Sequence, residues 1–274
     1  MNLNALDRQL PSAGRAATAP AMFIGHGSPM NIIRDNTFTR KLRDLGSREP
    51  TPAVVLVVSA HWLTRGETRV SVNPAPKTIY DFGGFPRDLY EVSYLAPGSP
   101  DRAREVVANV KSVQVHEDHE MGLDHGAWSI LRHLWPEAKV PVFQLSMDFS
   151  RPPSFHYELG KELRSLRERG LMILGSGNIV HNLRTLDWQH EEGPPFDWAA
   201  EFDDWSKTQL ETRNHAALQD YLHQGPAARM AVPTNDHYLP MLYTLGVQGK
   251  DEQVRFTHES FQHGSISMRC FELV

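Results

Sequence analysis

Histidine is the residue type in this sequence with the most evident capacity for chemistry. The chain has 14 histidines in 274 residues, and imidazole is both the commonest metal ligand and a proton carrier near neutral pH. His26, His61, His181 and His237 each come shortly after a segment that has the composition of a strand, although the segment before His237 is weak. This pattern is typical of a metal site or of acid–base catalysis.

The neighbours of these histidines favour a functional role. Gly25 and Gly27 flank His26, and glycine lets the backbone approach a ligand closely. His181 follows the Gly-Ser-Gly-Asn segment 175–178, which predicts a tight turn after a strand. A fifth candidate, His125, stands at the predicted start of a helix. One histidine at a strand end is more often a hydrogen-bonding residue than a ligand, so the repetition of the pattern carries the prediction.

The remaining motifs are less specific. Segment 175–178 matches neither the glycine pattern of dinucleotide-binding sites nor that of the P-loop. Gly27-Ser28-Pro29 does not match the G-x-S-x-G motif that holds the nucleophile of a serine hydrolase. Nine histidines lack the strand-end context and are expected to be solvated or structural: His116, His119, His133, His156, His190, His215, His223, His258 and His263. Core packing is the simpler role for each nearby aromatic residue, but as a group they can wall a flat aromatic substrate: Trp62, Phe82, Phe85, Trp128 and Tyr238.

The elements that must position these residues alternate between strands and helices. Apolar segments predict strands at 21–24, 53–60, 140–147 and 171–174, with weaker candidates at 229–232 and 265–273. Helices are predicted from Ser99, over 155–166, and over 197–222 as one long or two shorter helices. This order predicts an α/β fold with a central, mainly parallel sheet flanked by helices. Ligands then bind at the carboxyl-end rim of the strands. Loops are expected at 73–100 and 188–196, and the first is long enough for a lid or substrate wall.

Composition excludes several classes of protein. Hydrophobic residues make up 40% and charged residues 22%, and the net charge of −5 gives no basic stripe for nucleic acid. The apolar run 53–58 is too short to cross a membrane. Cys270 is the only cysteine, which fits a cytoplasmic location and excludes a cysteine-based metal site. Residues 1–20 are expected to be a flexible tail, with a weak organelle presequence as the alternative, and 21–274 a single catalytic domain.

Six short motifs occur in one order between about residues 21 and 270. Together they resemble the class III extradiol ring-cleavage dioxygenases, specifically the 4,5-DOPA dioxygenase extradiol group. The motifs are Gly25-His26-Gly27-Ser28-Pro29-Met30, Ser59-Ala60-His61-Trp62, Asp81-Phe82-Gly83-Gly84-Phe85-Pro86, Asp124-His125-Gly126, Gly177-Asn178-Ile179-Val180-His181-Asn182 and Asp236-His237-Tyr238-Leu239-Pro240.

The resemblance implies a mononuclear metal site and an oxygen-dependent reaction. His26, His61 and His237 match the metal positions, His181 matches an acid–base histidine, and His125 matches a second pocket histidine. Many relatives have a glutamate where this chain has His237. The expected cofactor is Fe2+, although Zn2+ can occupy a site made of imidazoles. The expected partners are a catechol and O2, and the expected substrate contacts are Ser28, Asn178, Trp128 and Tyr238.

Two other classes of function remain open from the residues alone. A histidine-bound zinc can lower the pKa of its water to about 7, which suits a hydrolase of an amide or ester. A non-catalytic module on the same fold could instead use its aromatic loops to bind a partner. Neither class explains the combined motif set as well as cleavage of a catechol ring does.

Overall fold

A six-stranded sheet forms the centre of the protein in the computed structural model, which describes residues 18–48 and 50–274. From edge to edge the strands are β6 (Val142–Gln144), β2 (Val54–Ser59), β8 (Leu171–Gly177), β1 (Ala21–Gly25), β12 (Cys270–Leu273) and β9 (Val254–His258). The first four run parallel, and β12 and β9 continue the sheet with antiparallel pairing. The prediction of a mainly parallel sheet is confirmed.

Helices and short strand pairs surround this sheet. The α-helices of the described residues are α1 (Thr37–Gly46), α2 (Pro100–Asn109), α3 (His125–Leu134), α4 (Pro153–Arg167), α5 (Asp197–Glu211), α6 (His215–Gln219), α7 (Pro226–Ala231) and α8 (Leu239–Gly246). The short strands pair as β3 (Leu63–Thr64) with β7 (Met147–Asp148), β4 (Thr68–Ser71) with β5 (Val115–Asp118), and β10 (Phe261–Gln262) with β11 (Ile266–Ser267).

Both faces of the sheet are covered, which explains why its central strands are apolar throughout. Alternate residues of β2 point to opposite faces. Leu56 and Val58 pack in a buried cluster with α2, α4 and α8, whereas Val55 and Val57 pack in a second cluster with α1 and α3. Complete burial of one such side chain stabilises the fold by roughly 1.5–3 kcal/mol. The sheet is therefore a rigid support for the loops at its rim.

Three predicted strands differ from the structure. The weak strand at 229–232 is wrong, because these residues lie in or directly after α7, where Pro226 stands in the first turn and alanines favour the helix. Segment 140–147 divides into β6 and β7, and 265–273 divides into β11 and β12. Of the two alternatives predicted for 197–222, the structure has the shorter helices, α5 and α6, and the chain between them includes Arg213 at a positive φ of 56°.

The long loop 73–100 is held at both ends by hydrogen bonds. Ile79 donates its backbone N–H to Leu123 O, and Thr78 Oγ1 accepts from the backbone of Tyr94. A short 3-10 helix, Arg87–Glu91, lies within the loop. These contacts fix the base of the loop against the start of α3.

Residues 1–17 of the predicted tail lie outside the described residues. Ala19 is buried, and its backbone pairs with the backbone and side chain of Arg167. Among the described residues, every helix is too short or too polar to cross a bilayer.

Candidate metal centre

Three histidines that are remote in sequence meet at one end of the sheet. His26 directly follows β1, His61 lies two residues after β2, and His237 lies between α7 and α8. The Nε2 atoms of His26 and His61 are 3.2 Å apart, and one ring nitrogen of each histidine lies within 4.8 Å of the other two. His237 therefore joins the cluster from a loop before a helix and not, as predicted, from a strand end.

The end of β8 brings two of these histidines together. Gly177 accepts a hydrogen bond from the backbone N–H of His26, and the next residue, Asn178, donates its backbone N–H to His237 O. A Cβ atom on Gly177 would lie 2.1 Å from His237 O. Only glycine allows this approach of the two backbones, which sets the position of His237 relative to His26.

A serine fixes the orientation of the His26 ring. His26 Nδ1 lies 3.0 Å from Ser176 Oγ, and the Ser176 hydroxyl donates to Gly126 O. Because the serine hydrogen is committed to that carbonyl oxygen, Ser176 Oγ accepts from His26 Nδ1. The unprotonated nitrogen of a neutral His26 ring is then Nε2, the atom that faces His61.

Carboxylates hold the Nδ1 side of the other two rings. Asp81 Oδ2 is 3.3 Å from His61 Nδ1, and the Asp236 carboxylate is hydrogen-bonded to His237 Nδ1. This is the arrangement that supports metal-binding histidines in proteins, with one nitrogen on an acceptor and the other free for the metal.

Burial keeps these imidazoles neutral. It lowers the pKa of His26 and His237 well below the usual value, and neighbouring imidazoles lower both further. Burial, followed by His125, lowers the pKa of His61 to about 3. Neutral imidazoles are the form that binds metal. Three neutral nitrogen donors suit a divalent transition metal, so the residues fit the implied ion.

His125 and His181 stand beside this cluster. His125 begins α3, and Asp81 accepts from both its backbone N–H and its Nδ1, each at 2.8 Å. His181 lies parallel to His237, with ring centroids 3.5 Å apart and an interplanar angle of 7°. Burial lowers the pKa of His181 to about 4. All five histidines predicted to be functional thus lie together.

The five histidines line a cavity of about 470 Å³. This volume falls within the roughly 300–1,000 Å³ typical of small-molecule sites. Asp81 lies with the histidines at the inner end, and the rest of the wall is mainly apolar. The other lining residues are Gly27, Ser28, Pro29, Phe82, Gly83, Phe85, Leu183, Leu186, Trp188, His263 and Ile266.

Two predicted polar substrate contacts occupy different positions. Ser28 lines the cavity, and its hydroxyl oxygen accepts from the backbone of Met30. Asn178 is buried outside the lining, where its side chain donates to Ser267 O and accepts from Gly27 N. Asn178 therefore connects the loop after β1 to β11.

The two predicted aromatic contacts lie in the core. Trp128 is fully buried and donates its indole N–H to Ile79 O, behind the cavity wall. Tyr238 is also fully buried and donates its hydroxyl to Leu218 O on α6. Neither ring lines the cavity, because both point into the packing between elements.

Three residues at or beside the cavity were missed by sequence reasoning. Asp81 belongs to the loop that was predicted as a substrate wall, and Asp236 directly precedes a predicted ligand, so both had a signal. His263 was expected to be solvated or structural, yet it lines the cavity. It lies in a tight turn between β10 and β11, which no periodic pattern marks.

Comparison with known proteins identifies the family. Residues 20–269 match the family model described as "Catalytic LigB subunit of aromatic ring-opening dioxygenase". Relatives named "4,5-DOPA dioxygenase extradiol" include a protein of Escherichia coli (strain K12), 44% identical over 93% of this chain and 94% of that protein. A protein of the same name from Beta vulgaris is 35% identical over 91% of this chain and 94% of its own length.

A solved structure has the same fold. The crystal structure of an uncharacterized protein from Escherichia coli K12 superposes with a TM-score of 0.81 and 38% sequence identity, covering 93% of this chain and all of that one. The family model, the similar sequences and the solved structure all match this chain over most of its length. The chain therefore belongs to the LigB family of aromatic ring-opening dioxygenases, and it is a ring-cleaving enzyme.

Proposed function

We propose that this dioxygenase opens the ring of a DOPA-like catechol with O2, using Fe2+ held by His26, His61 and His237. The observation that supports this assignment most directly is the convergence of three imidazoles, each with Nδ1 within 3.3 Å of an oxygen of Ser176, Asp81 or Asp236. The relatives named for DOPA support the choice of substrate. The single cysteine, Cys270, supports a cytoplasmic location.

The choice of iron rests on the reaction. When bound, Fe2+ would supply the redox chemistry that a reaction with O2 needs, whereas zinc has no redox chemistry. The three imidazoles also suit Zn2+, which stands higher in the affinity order. We therefore expect protein loaded with Zn2+ to keep the fold and lose ring cleavage.

His181 is the proposed general base for a catechol hydroxyl. Its ring lies against His237, beside the proposed metal position, and its lowered pKa leaves it neutral near pH 7, so one ring nitrogen is unprotonated and can accept from a catechol hydroxyl. The same imidazole can return the proton later in the reaction.

His125 is the proposed second acid–base residue. Asp81 accepts from Nδ1 of His125, so a neutral His125 ring keeps Nε2 as an acceptor for a substrate hydroxyl. Ser28 is proposed to orient a polar group of the substrate. Phe82 and Phe85, which also line the cavity, would pack on the catechol ring and exclude water from it.

Oxygen uptake tests the proposal. Protein reconstituted anaerobically with Fe2+ is mixed with L-DOPA and other catechols, and O2 consumption is recorded together with the absorbance of a yellow ring-opened product. The expected result is one O2 consumed for each catechol opened. A hydrolase would consume none, and absence of uptake with every catechol would overturn the proposal.

Two variants separate the metal-binding and proton-transfer roles. His61→Ala is expected to lose Fe2+ and activity together, because one of three donors is removed.

His181→Ala is expected to keep Fe2+ while kcat falls by about 100-fold or more, as for loss of a general base. Normal iron content in His61→Ala would remove that residue from the ligand set, and normal turnover in His181→Ala would give it a structural role.

A further inference from the structure

The outer part of the cavity offers few polar groups to a substrate. Beyond the histidine cluster and Asp81, the described lining residues with polar side chains are Ser28 and His263, apart from the indole of Trp188. The hydroxyl oxygen of Ser28 already accepts from the backbone at the start of the 3-10 helix Pro29–Ile32. The Ser28 hydroxyl can still donate to a substrate group, whereas a hydrogen-bond donor on the substrate is better accepted by His263.

The His263 ring is held in a defined orientation. Its Nδ1 lies 3.0 Å from Asp187 O, and its backbone N–H donates to Glu191 O at 2.7 Å. A carbonyl oxygen only accepts, so Nδ1 carries the hydrogen and Nε2 of a neutral ring is an acceptor. These two bonds hold His263 at a φ of 50°, in the left-handed region that residues with a Cβ atom rarely adopt. Strain of this kind concentrates at ligand sites.

Trp188 lies against this ring at the mouth of the cavity. The two ring centroids are 5.3 Å apart with an interplanar angle of 52°, and Trp188 is 78% exposed. The face of an indole attracts cations. Trp188 and His263, which we call the mouth pair, thus present an aromatic face beside a hydrogen-bond acceptor.

The charges around the mouth pair favour a cation. Segment 186–193 carries Asp187, Glu191 and Glu192 and no lysine or arginine. Arg34 forms an ion pair with Glu191, which leaves the segment with an excess of negative charge. Among the described residues that line the cavity there is likewise no lysine or arginine.

We propose that the mouth pair is a subsite for a primary ammonium group on the side chain of the catechol. The ammonium would donate to His263 Nε2 and lie on the face of Trp188. The substrate class is then catechols with an aminoalkyl substituent. This inference rests on the proposed function, because the catechol oxygens must occupy the inner end of the cavity.

Four catechols that differ in one group each test the subsite. L-DOPA carries ammonium and carboxylate, dopamine only ammonium, 3-(3,4-dihydroxyphenyl)propionate only carboxylate, and 4-methylcatechol neither. Iron-loaded wild type, His263→Ala and Trp188→Leu are compared by kcat and KM. We expect kcat/KM to fall about tenfold for the two amines, through KM, and less than about twofold for the other two.

His190→Ala is the matched control, because His190 lies in the same segment, is exposed and does not line the cavity. This variant should behave as wild type with all four substrates. An equal loss for all four substrates in both mouth-pair variants would mean a structural role, and a loss that follows the carboxylate would mean an anion subsite; either result overturns the proposal. If iron-loaded wild type opens none of the four rings, the proposed function fails first and the subsite falls with it.

Discussion

Asp81 contacts two of the cavity histidines, His61 and His125. It accepts from the backbone and ring of His125 and lies 3.3 Å from His61 Nδ1. Loss of such a supporting carboxylate typically lowers metal affinity by about 10–100-fold. We therefore expect Asp81→Ala to bind Fe2+ more weakly by about this factor, measured by anaerobic competition with a chromophoric chelator.

Asp88 provides the control for this variant. It lies in the same loop, on the exposed 3-10 helix Arg87–Glu91, and Asp88→Ala should bind Fe2+ as tightly as wild type. Equal affinities for the Asp81 and Asp88 variants would mean that His61 keeps its orientation without the carboxylate. Restoration of affinity by Asp81→Glu would show that the charge, and not the loop alone, orients the ring.

Site residues could be predicted from the sequence where they border a strand or helix. His26 and His61 follow apolar strands and His125 starts a helix, so local patterns marked them. His263 lies in a turn with positive φ, and its place in the cavity wall results from pairing between β10 and β11. Tyr238 was predicted to contact the substrate because it follows His237, but its side chain points into the core. Proximity in sequence to a site residue does not determine which way a side chain points.

At the scale of elements, the contact between α4 and α8 contains a buried histidine far from the strand ends. His156 on α4 is fully buried, and its Nδ1 is 3.0 Å from the Tyr243 hydroxyl on α8. Burial lowers its pKa from 6.5 to about 4. The folded protein therefore disfavours the protonated ring.

This pKa predicts a pH dependence of stability. Between pH 6.5 and about 4 the unfolded chain binds a proton at His156 that the folded chain does not, so the free energy of unfolding falls as pH falls. The contribution of this residue is at most roughly 3 kcal/mol. In metal-free protein, urea unfolding of His156→Gln should lose less stability than wild type between pH 7 and 4.5.

The comparison with wild type removes the contribution of the cluster histidines, which both proteins share. His119→Gln serves as the control, because the His119 side chain is 68% exposed, and its unfolding curve should follow that of wild type at every pH. Parallel pH dependence of His156→Gln and wild type would show that His156 takes up its proton equally in the folded and unfolded chain.

The elements of the fold were predictable where burial repeats along the chain. Both faces of β2 and β8 are buried, so their apolar runs stood out, and α4 showed helical spacing. Met230, Ala231 and Val232 are apolar too, but they end a helix that begins at Pro226 and packs on α5. β12 pairs antiparallel with β1, and β9 pairs antiparallel with β12, a choice of direction that depends on contacts remote in sequence.

At the scale of the whole molecule, Arg167 joins segments from distant parts of the chain. Its buried guanidinium donates to Ala19 O before β1, to Val247 O after α8, and through two nitrogens to the Glu252 carboxylate before β9. Although burial raises the pKa of Glu252, hydrogen bonds from Arg167 and Gly249 lower it overall. The pair is thus charged near neutral pH.

Removing one partner of a buried ion pair leaves the other without compensation, which typically costs about 3–5 kcal/mol. We expect Arg167→Ala to lower the free energy of unfolding by about this amount, as measured by urea denaturation at pH 7. Arg167→Lys should recover only part of it, because an ammonium cannot replace the paired nitrogens that bind Glu252.

An exposed pair supplies the scale for this comparison. Arg87 and Glu91 form an ion pair whose side chains are 90% and 63% exposed, and such pairs contribute at most about 1 kcal/mol. Arg87→Ala should therefore unfold close to wild type, although it removes the same charge. If Arg167→Ala were no less stable than Arg87→Ala, apolar packing alone would hold the three segments that meet at Arg167. The edge of the sheet would then be fixed to α4 without this residue.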